Sequence, residues 1–324
     1  MNIAFAGFRH DHVYTLVKWA KEAENLKIIA SYETHEDSIL KAEDKGIKIT
    51  HRDYDELLKN DSIDIVAVAD YYSTRGDMVI KALKAGKHVI ADKPLCTSLE
   101  ELNTIEKLSE EKGLKIGLML DLRYMAASLA AHDFIRSGGL GIVHNISFGG
   151  QHSLNYGVRP GWYFEEGKQG GTINDLAIHG IDLVRYITGL GVSRIFAARC
   201  WNAYAKDVPH FKDSAQFMAE LDGGAGLIAD VSYSMPNVKS FSPKQTWRFT
   251  FWVEKGILEF NCADNFVELT LNGENEVKIL RGKNSDSNPL FDFLADIQCK
   301  VTDLDTRNVL KSTRDTLRIQ RAAL

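Results

Sequence analysis

The stretch AGKHVIADKPL, residues 85 to 95, decides the fold. Gly86 closes a helical segment in which Met78, Ile80, Leu83 and Ala85 supply apolar positions, because glycine takes the left-handed conformation that ends a helix. The run KHVIAD (87–92) that follows is near-continuously apolar, as a strand covered on both faces must be. Working outward, the same kind of run recurs as NIAFAG from residue 2, KIIASYE (27–33), DIVAVAD (64–70) and LKIGLML (114–120), with amphipathic segments between. Ser98 followed by Glu101 forms a capping box that opens the next helix. Strands and helices alternating in this way predict a doubly wound α/β domain of Rossmann type, with a parallel sheet, over residues 1–120.

Beyond about residue 140 the period changes. SAQFMAEL, GLIADVSYS, WRFTFWVE, GILEFN and FVELTL alternate apolar and polar residues, as antiparallel strands with one wet face do. DGGAG (222–226) and EKG (254–256) suit hairpin turns. A helix is expected over about 171–188, and two more after Asn288 and Asp305. Residues 121–324 are therefore read as a second, α+β domain with a large, mostly antiparallel open sheet.

With 324 residues and 44% hydrophobic composition the chain can form two ordinary cores. Its 39 basic and 44 acidic side chains are well mixed, net charge -5, and offer no basic block for a row of phosphates, which argues against nucleic acid. Cys96, Cys200, Cys262 and Cys299 have no C-x-x-C spacing, so neither a zinc site nor a disulfide framework is expected. Without a long apolar run or a cationic leader, the reading is of a cytoplasmic protein with no membrane partner. Arg307, Lys311, Arg314, Arg318 and Arg321 form a stripe on the last helix, read as a solvated face.

Three constellations carry chemistry. In IAFAGFRHDHVY, Gly7 ends a strand and a helix follows, whose N-terminal N–H groups would receive a pyrophosphate. Only one glycine of a G-x-G-x-x-G pattern is present, with Arg9 and His12 in place of the others. Gly7, Phe8, Arg9 and His10 are the candidates for holding it. Glu33, ending the second run, is placed to accept from the ribose hydroxyls of adenosine, which would favour NAD over NADP; it could equally be a polar strand end. Asp92 and Lys93 lie just past the KHVIAD strand, where open α/β sheets bind ligands, although by chemistry alone a loop lysine is more often a surface charge. In GKQGGTINDLAIHGIDLVRYITG (167–189), Asp175 and His179 are four apart on one helical face, with Asp182 three further on. An imidazole with a nearby carboxylate can accept a proton near neutral pH, or can be a satisfied core histidine; no metal is expected there.

Together these residues resemble the glucose-fructose oxidoreductase and inositol dehydrogenase family, Gfo/Idh/MocA. AGKHVIADKPL is similar to its A-G-K-H-V-x-x-E-K-P-L, and GGTINDLAIHGID to its G-G-x-x-x-D-x-x-x-H-x-x-D helix. The resemblance implies an NAD(H)-dependent oxidoreductase acting on a hydroxyl carbon of a sugar, polyol or related compound, and a homodimer or homotetramer built through the second-domain sheet. Lys93 would be the active-site lysine, Asp175 the helix aspartate and His179 the general base. Arg123 and Tyr124 resemble an arginine–aromatic pair at the substrate mouth; the stretch YGVRPGWYFEEGKQGG before the helix offers Arg159, Trp162, Tyr163 and Lys168 to a polar ligand, with Trp162 equally readable as core packing for the loop. Two other activities remain open on that resemblance: NAD-assisted glycoside cleavage, and ligand sensing without turnover. Two motifs depart from the pattern. Asp92 stands for glutamate, and Asp70, Tyr71, Tyr72, Ser73, Thr74 and Arg75 replace T-P-N-x-x-H, where Asp70, Tyr71 and Tyr72 would lie against the cofactor.

Overall fold

A computed structural model describes residues 1–237 and 243–323. The chain divides into two compact units, the first comprising Met1–Met119, Pro160–Gly170 and Pro289–Thr313, the second Leu120–Arg159, Gly171–Asn288 and Arg314–Leu324.

The first unit follows the expected alternation. It contains β1 (Asn2–Ala6), α1 (His12–Glu22), β2 (Lys27–Tyr32), α2 (Glu36–Asp44), α3 (Tyr54–Leu58), β3 (Ile65–Val68), α4 (Tyr72–Lys84), β4 (His88–Ala91), α5 (Leu99–Lys112) and β5 (Ile116–Leu118). All strands pair in parallel in the order β2-β1-β3-β4-β5, so the chain reverses its direction of travel at β1, between β2 and β3. Both faces of β1 and β3 are buried, which is why their sequences are apolar throughout. Val13, Leu16, Val17 and Ala20 turn one stripe of α1 onto Ile3, Phe5, Ile65 and Ala67. Each such side chain contributes about 1.5–3 kcal/mol on burial. Ser98 caps α5 with the reciprocal Glu101 bond of a full capping box, and Gly113 ends the helix in the left-handed region.

Two pieces from later in the chain complete this unit. A helix at Pro289–Ile297 puts Leu290 and Phe293 into the same core, and its Asp296 pairs with Lys115 at 2.9 Å. Residues 160–170 attach through Ser73, whose backbone N–H donates to the Lys168 carbonyl.

In the second unit, α6 (Ala126–Arg136), β6 (Val143–Ser153) and α7 (Ile178–Thr188) are followed by β7 (Val192–Trp201), β8 (Ser214–Leu221), β9 (Gly226–Met235), β10 (Trp247–Val253), β11 (Gly256–Asn261), β12 (Phe266–Leu271) and β13 (Lys278–Arg281). The Pro289–Ile297 helix is then α8, and α9 (Thr306–Ala322) closes the described chain. The eight strands run β13-β12-β11-β10-β6-β9-β8-β7, antiparallel except for the parallel pair β6 and β9. Alternation is plain in β8, where Ala215, Phe217, Ala219 and Leu221 are buried while Gln216 and Met218 are exposed. Phe148, Phe249 and Phe260 stack on the inner face at 5.5 and 5.1 Å. α7 lies so close above them that a Cβ on Gly180 would fall 2.3 Å from the Phe148 ring.

The helix expected over 171–188 is present, but it opens as a π-helical turn over Ile173–Ala177 before α7. Widened turns of this kind are common where a helix presents functional side chains. No helix of the described residues is long and apolar enough to cross a membrane.

Candidate active site

In the first unit, the expected cofactor residues gather at the carboxyl ends of β1, β2, β3 and β4. Gly7 has φ +90°, and a Cβ there would lie 2.6 Å from the Asp70 backbone nitrogen. Only glycine meets both demands, so the turn requires glycine here although the other two glycines of the pattern are absent.

Arg9 fills the space opened by that change with an ion-pair network. Its Nε lies 3.3 Å from both Glu33 Oε1 and Asp70 Oδ1, its Nη2 donates to Thr34 Oγ1 at 3.0 Å, and its guanidinium carbon sits 5.1 Å from the Tyr71 ring centre. Partial burial works against its charge, but the two carboxylates outweigh it and raise the Arg9 pKa. Burial raises the Asp70 pKa above the ordinary carboxylate value, against the pull of Arg9.

Glu33 ends β2 as anticipated, is fully buried, and its carboxylate accepts from the Phe8, Thr34 and His35 backbone N–H groups at 2.7, 2.7 and 2.9 Å as well as from Arg9. The carboxylate thus stitches the glycine turn to the segment after β2.

Asp92 and Lys93 follow β4 and are buried, at 0% and 5% exposure. Asp92 accepts from His10 Nδ1 at 2.5 Å, His12 Nδ1 at 3.1 Å and Arg75 Nη2 at 2.9 Å. Burial would raise its pKa, but Arg75 and the two histidines hold it well below the usual carboxylate range. Burial pushes His10 down to about 4 against the attraction of Asp92. His10 Nε2 meets the Tyr72 hydroxyl at 3.2 Å, and that hydroxyl meets Tyr163 at 3.0 Å. Lys93 Nζ lies 5.9 Å from the Tyr72 ring centre.

Trp162 and Tyr163, expected to serve substrate, belong to this unit. The Trp162 indole donates to the Arg9 carbonyl at 3.1 Å and packs edge-on to His10 and Tyr72. Lys168 pairs with Glu165, and its Nζ lies 4.9 Å from the Tyr71 ring centre. A cleft of about 410 Å³ runs beside the glycine turn, lined by Phe8, Arg9, His35, Lys41, Trp162 and Lys168 among others. Its wall carries three cations, Arg9, Lys41 and Lys168, and three carboxylates, Asp11, Asp37 and Glu165, two of which pair with Lys41 and Lys168.

In the second unit, Asp175 is 1% exposed and accepts from the Tyr233 hydroxyl. His179 lies on α7 at 8% exposure, its ring 5.4 Å from that of Trp247 and nearly edge-on, and its Nδ1 3.9 Å from Asp121 Oδ1. Trp247 in turn lies across Gly150 on the neighbouring strand, where a Cβ would fall 2.3 Å from the indole. Arg159 donates to the carbonyls of Leu154 and Ser153 at 2.8 and 2.9 Å, and its guanidinium carbon sits 5.3 Å from the Tyr233 ring centre.

Arg123 is 2% exposed and makes a two-pronged pair with Asp182, Nε to Oδ2 at 2.6 Å and Nη2 to Oδ1 at 2.5 Å. That fork holds the 3-10 turn at Asp121–Tyr124 against α7. Its neighbour Tyr124 is partly exposed. Sequence reading missed Tyr233, Trp247, Asp121 and the His12–Arg75–Asp92 cluster. The first three sit in strand or turn patterns that carry no local signal, and only pairing across the fold brings them beside Asp175 and His179.

A parallel sheet with a glycine turn after β1 and a buried lysine after β4, accompanied by a unit with an open sheet and an Asp–His helix, defines the class of two-unit dinucleotide-fold oxidoreductases. Residues 1–119 match the model of an oxidoreductase family with an NAD-binding Rossmann fold, and residues 128–259 match the GFO/IDH/MocA C-terminal domain. The chain belongs to the GFO/IDH/MocA family. Among curated relatives, it is 30% identical to a scyllo-inositol 2-dehydrogenase (NAD(+)) of Bacillus subtilis over 60% of this chain and 56% of that protein. It is 27% identical to a myo-inositol 2-dehydrogenase of Thermotoga maritima over 54% and 53% of the two chains. The matches thus span little more than half the length of these relatives. The solved structure of an inositol dehydrogenase homolog complexed with NAD+ from Azotobacter vinelandii superposes with a TM-score of 0.80 at 16% identity, covering 100% of this chain and 96% of that one, which establishes the shared fold.

Proposed function

We propose that the protein is an NAD(H)-dependent oxidoreductase that interconverts a hydroxyl and a carbonyl on a sugar, polyol or related compound. The observation that carries this reading is the buried pair of Asp175 and His179 at the π-helical opening of α7, in a chain whose other unit is the family's NAD-binding fold. Bound NAD would supply the hydride acceptor. His179 accepts the hydroxyl proton, and Asp121, half exposed and near its Nδ1, stabilises the imidazolium that results. Asp175, steadied by Tyr233, orients a substrate hydroxyl. Lys93 holds the reacting oxygen and polarises it in the reverse direction. Gly7, Phe8, Arg9, His10, Asp70, Tyr71, Tyr72 and Asp92 form the wall on which the cofactor lies, and Glu33 shapes that wall from behind. The match of residues 1–119 to an NAD-binding Rossmann family supports NAD as the cofactor.

The two similar inositol dehydrogenases make cyclic polyols the first compounds to try. Incubated with NAD+ and a panel of inositols and aldoses, the protein is expected to generate reduced nicotinamide with at least one of them. Aglycone release from glycosides without net reduction would point instead to cofactor-assisted cleavage, and saturable ligand binding with neither outcome to a sensor.

We also propose that the outer face of the second unit's sheet joins two copies of the chain in the cytoplasm. Phe196, Met218, Ile228 and Trp252 are 38–58% exposed around one apolar groove of about 590 Å³. Light scattering should show a dimer or tetramer, and Met218→Glu with Ile228→Glu should reduce it to monomers; a wild-type monomer at micromolar concentration would contradict this.

A further inference from the structure

Four of the positions at which this chain departs from its family's motifs meet in the first unit. His12 stands for a glycine, Tyr72 for asparagine, Arg75 for histidine and Asp92 for glutamate. Together with His10 they form one connected cluster. We propose that His10, His12 and Asp92 bind a single divalent transition-metal ion of the zinc, cobalt and nickel class.

Three donor atoms lie within 4.8 Å of one another. The two imidazole Nδ1 atoms face the two oxygens of one carboxylate, at 2.5 and 3.1 Å, and the rings are 4.4 Å apart. Metal–ligand bonds of about 2.0–2.2 Å place neighbouring donors roughly 3 Å apart. The His12 contact already has that spacing, and the His10 contact reaches it by opening about half an ångström. Two imidazoles and one carboxylate select borderline ions over the hard magnesium and calcium ions, which prefer all-oxygen shells.

The outer partners are those that a metal site uses. The second nitrogen of His10 meets the Tyr72 hydroxyl, which fixes the ring so that Nδ1 is the coordinating atom. Arg75, fully buried, grips Asp92 Oδ2 and also donates to the backbone carbonyls of Asp70 and Asp92 at 2.7 and 2.9 Å, so the carboxylate cannot swing away. The His12 side chain is 46% exposed, which gives the ion an entry path and leaves its remaining coordination positions facing solvent. The positive charge of Arg75 opposes the ion, so the expected affinity is on the order of micromolar, well short of a structural zinc site.

The test is cobalt titration of the full-length, metal-stripped protein, followed by visible d–d absorption. The expected result is one cobalt per chain, a ligand-field band that zinc abolishes, and at least a tenfold loss of affinity in His12→Gln and in Asp92→Asn, with circular dichroism confirming folded variants. His144→Gln, at an exposed histidine of the second unit, should leave the titration unchanged. The absence of a band, or equal uptake by wild type and His12→Gln, would overturn the proposal and leave the cluster as a hydrogen-bonded network. Formation of reduced nicotinamide by the metal-stripped wild-type protein on the polyol and aldose panel tests the functional reading independently.

Discussion

Replacing His179 by alanine should lower kcat on the true substrate by roughly a hundred- to ten-thousand-fold, the range that a positioned general base supplies, while NAD affinity stays within a factor of about two. The split follows from placement. His179 belongs to α7 in the second unit, whereas the residues proposed to hold the dinucleotide belong to the first. The imidazole is 8% exposed and packed edge-on to Trp247, so its removal leaves a void beside an already formed sheet. The helix backbone does not depend on it. A rise in KM with kcat unchanged would mean that His179 only binds substrate and that the proton leaves by another group.

The second large effect concerns stability. Arg123→Leu should destabilise the protein by about 3–5 kcal/mol, because it removes one partner of an ion pair whose carboxylate sits in a site that is 1% exposed. The melting temperature should fall by roughly 10 °C. Pairing the change with Asp182→Leu removes the stranded carboxylate and should recover most of the loss, since replacing both partners of a buried pair by apolar groups is often close to neutral. If the single and double variants melt alike, the fork contributes packing only and the buried charge is not the cause.

The parallel sheet was legible in the sequence because both of its faces are buried, so runs such as DIVAVAD announce themselves without help from neighbours. The Ser98–Glu101 cap and the Gly86 turn were legible for the same local reason. Partnership was not legible. Nothing in the sequence shows that Phe8, Arg9, Thr34 and His35 use the Glu33 carboxylate, or that Asp182, 59 positions away, lies in the fork of Arg123. The contribution of α8 to the first core was hidden similarly, since nothing in its sequence says which sheet its apolar stripe will cover. The two absent glycines of the opening turn had a cause visible only in three dimensions. Arg9 engages Glu33 and Asp70, and His12 engages Asp92, so the turn is held by charges from β2, β3 and β4 where a regular fingerprint relies on close backbone packing.

The central claim is hydride transfer between a carbinol carbon and nicotinamide. It is tested most directly with a substrate deuterated at that carbon, once the panel has identified one, by mass spectrometry of the cofactor after a single turnover. The account predicts one deuterium in the reduced nicotinamide, retained in ordinary water and delayed to the same extent as turnover in His179→Ala. Deuterium released to solvent, with unlabelled cofactor, would contradict it.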